Sequence, residues 1–254
     1  MKIALIQTSL IWENPLENRS HLAQKITGFM EDVDLIVLPE MFSSGFTMNP
    51  QAVAEKMDGE TVLWLQHLAK AKDCAITGSL VIEENGNYYN RLVFVYPTGE
   101  IKTYDKRHLF TMAGEHQHYA AGIKKLIVEY KGFRICPLVC YDLRFPVFSR
   151  NAEDYDVLLY VANWPKPRIN AWDILLKARS VENICYTVGV NRIGTDHNNH
   201  EYVGHSQVVD FLGDYILQPQ EADAVFIVEL DKGKLMETRN KLNFLNDRDT
   251  FKIS

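Results

Sequence analysis

Apolar runs typical of β-strands recur along the whole chain, and segments with the apolar spacing of helices lie between some of them. The runs are rich in Val, Ile, Leu and Tyr, which favour strands. They predict strands at 3–8, 35–38, 75–82, 88–96, 100–103, 126–130, 133–139, 157–161, 186–191 and 224–228. Helical spacing predicts helices at 15–30, 60–72, 169–183 and 232–240. This alternation is typical of an α/β protein.

Turn signals between neighbouring strand runs show that part of the sheet structure is antiparallel. Asn85-Gly86-Asn87 is a hairpin signal, and Pro97-Thr98-Gly99 and Lys131-Gly132 predict two further turns. A doubly wound parallel sheet would not need three such turns. We therefore predict two mixed sheets packed face to face, with helices on the outside.

Composition and charge narrow the class of protein. The 254 residues are 46% hydrophobic, and no linker, repeat or low-complexity run interrupts them, so we expect one domain over 1–254. The net charge of −6 disfavours nucleic acid as a partner. The short apolar stretch at the amino terminus is expected to be a strand and not a signal peptide, and no run approaches the ~20 apolar residues of a membrane span. We expect a cytoplasmic protein without membrane or nucleic-acid partners.

One of the four cysteines stands out as a candidate nucleophile. Cys74, Cys136 and Cys185 are expected to be small buried apolar residues, the common fate of free cysteines. Cys140 instead ends an apolar strand at a sharp turn. A free thiol has a pKa near ~8.5, so backbone N–H groups and a nearby lysine would be needed to favour its thiolate.

Two further strand ends deliver charged residues. Glu40 follows Leu38-Pro39 at the end of an apolar strand, where α/β proteins place their sites, although a lone glutamate there also fits a helix cap or an arginine partner. Lys106 lies in an Asp-Lys-Arg-His segment that, taken alone, is most often a solvated loop. Neither residue is decisive by itself.

A metal-dependent hydrolase is the competing enzyme class. Its ligands would come from Glu115-His-Gln-His118, from Asp196-His-Asn-Asn-His200 and from His205. Neither segment has the ligand spacing of a zinc protease. No glycine-rich nucleotide fingerprint occurs, which removes the usual support for redox or phosphoryl-transfer enzymes.

Taken in order, the motifs L-P-E, D-K-R-H-L-F and V-C-Y-D-L-R-F-P resemble the nitrilase superfamily of carbon–nitrogen hydrolases. The resemblance implies a four-layer α-β-β-α sandwich, a homodimer and no metal or organic cofactor. It maps a Glu-Lys-Cys triad onto Glu40 as general base, Lys106 as oxyanion stabiliser and Cys140 as nucleophile. A second glutamate, which orients the lysine or the substrate nitrogen in relatives, matches Glu115. The Tyr141 backbone N–H would complete the oxyanion site.

Within that superfamily the stretch C-Y-D-L-R-F-P-V-F-S-R, with the following N-W-P, Arg168 and Trp172, most resembles bacterial ω-amidases. The implied reaction hydrolyses the terminal amide of 2-oxoglutaramate or 2-oxosuccinamate, through a thioester, to the 2-oxo dicarboxylate and ammonia. Amidases of deaminated glutathione, N-carbamoyl compounds or nitriles share the triad and remain alternatives. A non-catalytic protein of the same fold would be expected to lack a triad residue, and all three are present.

The substrate carboxylate of such a half-amide needs a cationic anchor. Arg107, Arg144 and Arg168 are the candidates, although for Arg144 an ion pair with a nearby acid is the favoured role. We further expect aromatic residues to wall the pocket: Phe42, Phe46 and Trp164.

Overall fold

The computed structural model describes residues 1–253 and contains two six-stranded mixed sheets. The first sheet has the strand order β14-β1-β2-β3-β4-β5 and the second the order β13-β12-β9-β8-β7-β6, with β10 and β11 forming a separate small hairpin. The strands are β1 Lys2–Gln7, β2 Leu35–Val37, β3 Ala75–Glu84, β4 Asn87–Val95, β5 Ile101–Asp105, β6 Val128–Tyr130, β7 Phe133–Val139, β8 Val157–Ala162, β9 Tyr186–Asn191, β10 Ile193–Thr195, β11 Glu201–Val203, β12 Gln207–Val209, β13 Tyr215–Leu217 and β14 Ala224–Glu229.

Each sheet has a parallel centre and antiparallel edges. Strands β1, β2 and β3 are parallel, as are β7, β8 and β9. The three predicted turns connect antiparallel pairs, β3 with β4, β4 with β5 and β6 with β7. The carboxyl ends of the parallel strands therefore lie together, which is the end where α/β proteins place their sites.

Helices cover the outer faces of both sheets. The seven helices of the described chain are α1 Pro15–Thr27, α2 Pro50–Val53, α3 Glu60–Lys72, α4 Glu115–His118, α5 Pro146–Ser149, α6 Ile169–Asn183 and α7 Lys232–Leu242. The long helices α1, α3 and α6 lie on the outer faces. Short 3₁₀ helices occur at Thr111–Ala113, Cys140–Arg144, Lys166–Arg168 and Phe244–Asp247. Helix α1 begins where it does because the Asn14 side chain accepts the Glu17 N–H and Pro15 occupies the first position.

The alternation of strand β1 shows how the layers are built. Ile3 and Leu5 face the second sheet and join a core cluster that contains residues of both sheets, such as Leu138. Ala4 and Ile6 face the other way and pack under α1 and α3 with Leu22. On the far side, α6 packs on β9, where Gly189 leaves room for Trp172 and Leu176. The order helix, sheet, sheet, helix is the predicted α-β-β-α sandwich.

The structure confirms the predicted elements and adds several short ones. Helices α3 and α6 and strands β7 and β9 have the predicted bounds, while β10 to β13 and the shortest helices were not predicted. Cys74, Cys136 and Cys185 are buried and unpaired, as expected. Among residues 1–253, no helix combines the length and apolar character needed to cross a membrane.

Candidate active site

Glu40 lies at the end of β2, where the chain turns away from the sheet. The following residue, Met41, has a φ of +42°, and its N–H donates to the Ser79 hydroxyl at 2.9 Å. This turn points the Glu40 carboxylate into the molecule, where the residue is fully buried. The carboxylate accepts hydrogen bonds from the Lys106 ammonium at 2.9 Å and from the Asn163 N–H at 2.8 Å. Glu40 thus neither caps a helix nor pairs with an arginine.

Lys106 follows β5 and is 1% exposed. Its ammonium donates to Glu40 Oε1 at 2.9 Å and to the two Glu115 oxygens at 3.0 and 2.9 Å. Burial acts to lower the pKa of Lys106, but the carboxylates of Glu115 and Glu40 outweigh it and raise that pKa above its usual value. The lysine is therefore a permanent cation and not a base.

Glu115 enters the same cluster from the start of α4. Gly114, with a φ of +77°, lets the chain turn so that the buried Glu115 carboxylate also accepts the Phe110 N–H at 2.6 Å. Burial raises the pKa of Glu115, while the Lys106 ammonium opposes that rise. Two carboxylates therefore share one ammonium inside the protein.

Cys140 follows β7 and begins a 3₁₀ helix, and its φ of +45° is unusual for a residue with a side chain. Burial is the main reason that the pKa of its thiol is raised, and the negative charge of Glu40 adds to the effect. Lys106 and the Asn163 N–H act in the opposite direction. The raised pKa favours the neutral thiol beside the Glu40 carboxylate. The Tyr141 N–H lies in the first turn of the 3₁₀ helix, where N–H groups lack helical acceptors.

Two asparagines that the sequence analysis did not single out complete this cluster. Asn163, just beyond β8, donates its backbone N–H to Glu40 Oε2 at 2.8 Å and its side-chain amide to the Glu40 carbonyl at 2.7 Å. Asn90 on β4 donates its side-chain amide to Glu40 at 2.9 Å and to Glu115 at 3.2 Å. Asn163 belongs to the Asn-Trp-Pro stretch of the resemblance, whereas no motif marks Asn90.

The buried Asp142 carboxylate joins the Cys140 turn to the Lys106 segment. Oδ2 accepts the Tyr104 hydroxyl at 2.7 Å and the Val139 N–H at 3.0 Å. Oδ1 lies 3.0 Å from the His108 backbone N and 2.7 Å from its Nδ1. Tyr104 and His108 stand two residues before and after Lys106, so one side chain fixes both segments.

A cavity of about 680 Å³ opens above Cys140. Its inner part is lined by Glu40, Lys106, Cys140 and Asn163. The walls include Trp12, Phe46, Phe110, Tyr141, Arg144, Trp164, Arg168, His197 and Tyr202. The volume falls within the range of small-molecule sites, roughly 300–1,000 Å³.

Arg144 and Arg168 lie on the cavity wall, each against an aromatic ring. The Arg144 guanidinium is 5.0 Å from the Trp164 ring centre, and that of Arg168 is 5.2 Å from the Phe110 ring centre. Within residues 1–253 neither forms an ion pair. The expected ion pair of Arg144 is therefore wrong, because the acid nearest in sequence, Asp142, is already held by Tyr104 and His108.

Two other expected pocket residues lie elsewhere. Phe42 is fully buried under α3, 6.4 Å from the Trp64 ring and against Gly78, because the turn at Met41 sends its side chain to the outer face of the first sheet. Arg107 points away from the cavity, with its guanidinium 5.3 Å from the Phe148 ring centre, because its neighbour Lys106 is directed inward.

The segments considered as metal ligands have other partners. Glu115 binds Lys106, Asp196 accepts hydrogen bonds within its own turn from His200 and Tyr202, and His205 lies 2.9 Å from Asp173. In the described part of the chain, no group of three or more His, Cys, Asp and Glu side chains is arranged to hold a metal ion.

Comparison with known proteins defines the class to which this fold and site belong. The model of the carbon–nitrogen hydrolase family matches residues 2–240, and the chain belongs to that family. It is a hydrolase acting on amide C–N bonds. It is 44% identical to omega-amidase YafV of Escherichia coli K12, over 100% of this chain and 98% of that protein. It is 30% identical to 2-oxoglutaramate amidase of Bacillus subtilis, over 96% of each chain.

Solved structures agree with the fold. The crystal structure of XC1258 from Xanthomonas campestris, a CN-hydrolase superfamily protein with an arsenic adduct in its active site, has a TM-score of 0.97 at 42% identity. The match spans 100% of this chain and 99% of the XC1258 chain. Nit3 of Saccharomyces cerevisiae, at 22% identity, shares the fold with a TM-score of 0.85 over 95% of this chain and 94% of its own.

Proposed function

We propose that this protein is an ω-amidase with a Glu40-Lys106-Cys140 triad, which hydrolyses the terminal amide of 2-oxoglutaramate or 2-oxosuccinamate. One observation carries the proposal. A buried ammonium, a carboxylate and a thiol meet at the inner end of a cavity whose wall holds two guanidiniums without carboxylate partners. The ammonium, carboxylate and thiol suit amide hydrolysis, and the two guanidiniums suit an anionic substrate.

Acylation begins with the neutral Cys140 thiol beside the Glu40 carboxylate. The Glu40 carboxylate takes the thiol proton as Cys140 sulfur attacks the amide carbon. The oxyanion that develops is stabilised by the Lys106 ammonium and the Tyr141 N–H, which need no rearrangement to reach it. When the C–N bond breaks, protonated Glu40 gives its proton to the departing ammonia and the acyl group remains as a thioester.

Deacylation reverses these roles with water as the nucleophile. Glu40 takes a proton from water, hydroxide oxygen attacks the thioester carbon, and the same two donors hold the second oxyanion. The C–S bond then breaks and the sulfur recovers the proton from Glu40. Glu115 touches neither the thiol nor the attacking oxygen in this scheme, and holds Lys106 at the required position.

The two wall arginines are the proposed anchor for the substrate carboxylate. Guanidinium groups bind carboxylates through paired N–H donors, and stacking on Trp164 and Phe110 limits how Arg144 and Arg168 move. The names of the Escherichia coli and Bacillus subtilis relatives support the same substrate class. Amidases of deaminated glutathione, N-carbamoyl compounds or nitriles are the alternatives that a substrate panel must separate.

The deciding experiment measures ammonia release from 2-oxoglutaramate, succinamate, simple amides, nitriles and N-carbamoyl compounds. We expect the half-amides to be the best substrates, and Cys140→Ser to release no ammonia while its thermal unfolding curve matches that of the unchanged enzyme. Turnover by Cys140→Ser would refute the triad. Poor turnover of both half-amides would refute the ω-amidase assignment alone. Inhibition by EDTA that added zinc reverses would favour a metal-dependent hydrolase.

The arginine anchor has a matched control in Arg107, which lies outside the cavity. Arg144→Gln and Arg168→Gln should each raise KM for the half-amide about 10- to 100-fold, the loss expected for a hydrogen bond to a charged group. KM for an uncharged amide should change little, and Arg107→Gln should leave both values unchanged. Equal effects on charged and uncharged substrates would show that the arginines support the fold and not the substrate.

We also propose that the protein works as a cytoplasmic homodimer. A reducing compartment keeps free cysteines such as Cys140 from forming disulfides. Helix α6 exposes Ile174 and Val181, and Val181 lies against Gly213, which follows the exposed Leu212, so this apolar surface suits a second copy of the chain. Size-exclusion chromatography with light scattering should give twice the mass of one chain, and Val181→Lys with Ile174→Lys should give the monomer.

A further inference from the structure

The buried cluster carries more negative than positive charge. Glu40 and Glu115 are fully buried and Lys106 is the ammonium between them. With both carboxylates ionised and the Cys140 thiol neutral, the cluster has one unbalanced negative charge. Burial of such a charge is costly unless N–H donors replace the lost water. Those donors decide whether Glu40 is available as a base.

Asn90 supplies such donors to both carboxylates at once. It is fully buried on β4, and its side-chain nitrogen lies 2.9 Å from Glu40 Oε1 and 3.2 Å from Glu115 Oε1. An amide nitrogen has two hydrogens, one for each contact. The amide oxygen cannot face two carboxylates, which only accept hydrogen bonds, so the orientation of this side chain is fixed by its neighbours. Within the described residues, Asn90 Oδ1 has no hydrogen-bond partner.

The backbone of Asn90 acts on the same cluster. Its carbonyl accepts the Lys106 N–H at 3.0 Å, where the chain leaves β5. One residue therefore contacts both carboxylates through its side chain and the lysine through its main chain. Substitution of the side chain leaves the backbone contact to Lys106 in place.

We propose that Asn90 is a positioning residue for amide hydrolysis, whose side-chain amide bridges Glu40 and Glu115 and keeps both carboxylates ionised around the single ammonium of Lys106. The proposal rests on the triad roles proposed above. Hydrogen bonds to the charged form of a carboxylate favour that form. Loss of the Asn90 amide should therefore change how activity falls at acid pH.

Other titratable groups face this pair from neighbouring elements. Lys106 remains protonated, and the Cys140 thiol has a raised pKa through burial. The nearby phenols of Tyr119 and Tyr202 have pKa values raised mainly by burial and stay neutral. The more distant Glu13 binds the Thr47 hydroxyl. Asn90 contacts both carboxylates, so its effect is read on the Glu40–Glu115 pair as a unit.

The test compares Asn90→Leu, which has nearly the same shape without donors, with Thr77→Val on the adjacent strand β3. Thr77 is also fully buried, and its hydroxyl donates to the Val93 carbonyl, so Thr77→Val removes a buried hydrogen bond that does not involve the carboxylates. Kinetics of amide hydrolysis would be measured for each variant across the acid and neutral range, together with thermal unfolding. If Asn90→Leu does not fold, Asn90→Ser takes its place in the same kinetic and unfolding measurements.

We expect the acid limb of kcat/KM to move upward by about one pH unit or more in the Asn90 variants, with KM at the plateau little changed. Thr77→Val should unfold at a lower temperature with its acid limb unmoved. An Asn90 variant whose acid limb stays with the unchanged enzyme overturns the inference. Glu40→Gln distinguishes failure of the triad proposal from failure of the Asn90 proposal. Full activity of Glu40→Gln would refute the triad. If Glu40→Gln is inactive and the acid limb of the Asn90 variants is unmoved, only the proposed role of Asn90 is refuted.

Discussion

Cys140 combines an unfavourable backbone conformation with a thiol whose pKa is raised by burial. Its positive φ places a side chain in a region that costs of order 1–3 kcal/mol, and the surrounding turn holds it there. Met41 has a similar φ just after Glu40. The turns after β2 and β7 therefore each contain a residue in this unfavourable conformation, and each turn directs a side chain inward, that of Glu40 or of Cys140.

The raised pKa of Cys140 predicts how the thiol responds to an alkylating reagent without substrate. Thiolate is the reactive form, and its fraction grows as pH rises toward the thiol pKa. Alkylation by iodoacetamide should therefore be slow at neutral pH and continue to accelerate beyond pH ~10, where an ordinary thiol near ~8.5 has levelled off. Mass spectrometry of the labelled peptide gives the rate.

The buried cysteines provide the internal control for that measurement. Cys74, Cys136 and Cys185 are fully buried and should remain unlabelled while the protein is folded. A plateau of Cys140 labelling below pH 8 would show that the resting enzyme already holds a thiolate, which contradicts a general-base role for Glu40.

Between elements, the decisive contact is the Asp142 brace, by which we mean the hydrogen bonds of the Asp142 carboxylate that join the Cys140 turn to the segment around Lys106. Asp142→Asn exchanges an acceptor oxygen for a donor and cannot satisfy all of its partners. We expect kcat to fall about 10- to 100-fold, because Asp142 sets the position of Cys140 relative to Lys106. The measurement is steady-state hydrolysis of the half-amide.

Asp156 offers a matched control for the brace. It is also buried and heavily bonded, to the Arg134 N–H, Lys232 and Arg239, but it lies outside the cavity. Asp156→Asn should lower the unfolding temperature and keep kcat. Equal loss of kcat in the two variants would mean that general destabilisation, and not alignment of Cys140 with Lys106, explains the effect.

The long elements could be predicted because their patterns are strong over many residues. Helices α3 and α6 show helical spacing, and β7 is an apolar run broken only by Arg134. Strands β10 to β13 have three residues each, too few to establish a period, and their pairing is decided by distant partners. The sequence therefore predicts the layers but not the smaller hairpin at their edge.

The site could be predicted as far as its residues stand in motifs. Glu40, Lys106 and Cys140 each follow a recognisable strand, whereas Asn90 is one of several polar residues within β4 and no local pattern marks it. The direction of a side chain after an irregular turn is set by tertiary packing, which is why Phe42 was wrongly expected in the cavity. Arg107 was wrong for the same reason.

For the molecule as a whole, the two sheets share one apolar core, and this predicts cooperative unfolding. Residues of both sheets belong to a single cluster, which neither sheet can bury alone. We expect one thermal transition, with circular dichroism, tryptophan fluorescence and loss of amidase activity coinciding. Trp64 packs beside the first sheet and Trp172 against the second, so fluorescence reports on both. Two separated transitions would show that the sheets unfold independently.

The order of strands in the first sheet also has a consequence for synthesis on the ribosome. Strand β1 is formed first, yet one of its two neighbours, β14, comes from residues 224–229, and the backbone of Met1 bonds to Leu230. Until that last strand leaves the exit tunnel, one side of β1 has unpaired backbone groups beside apolar side chains, the kind of edge that sticks to other chains. A nascent chain stalled before residue 224 is thus the form of this protein most dependent on chaperones.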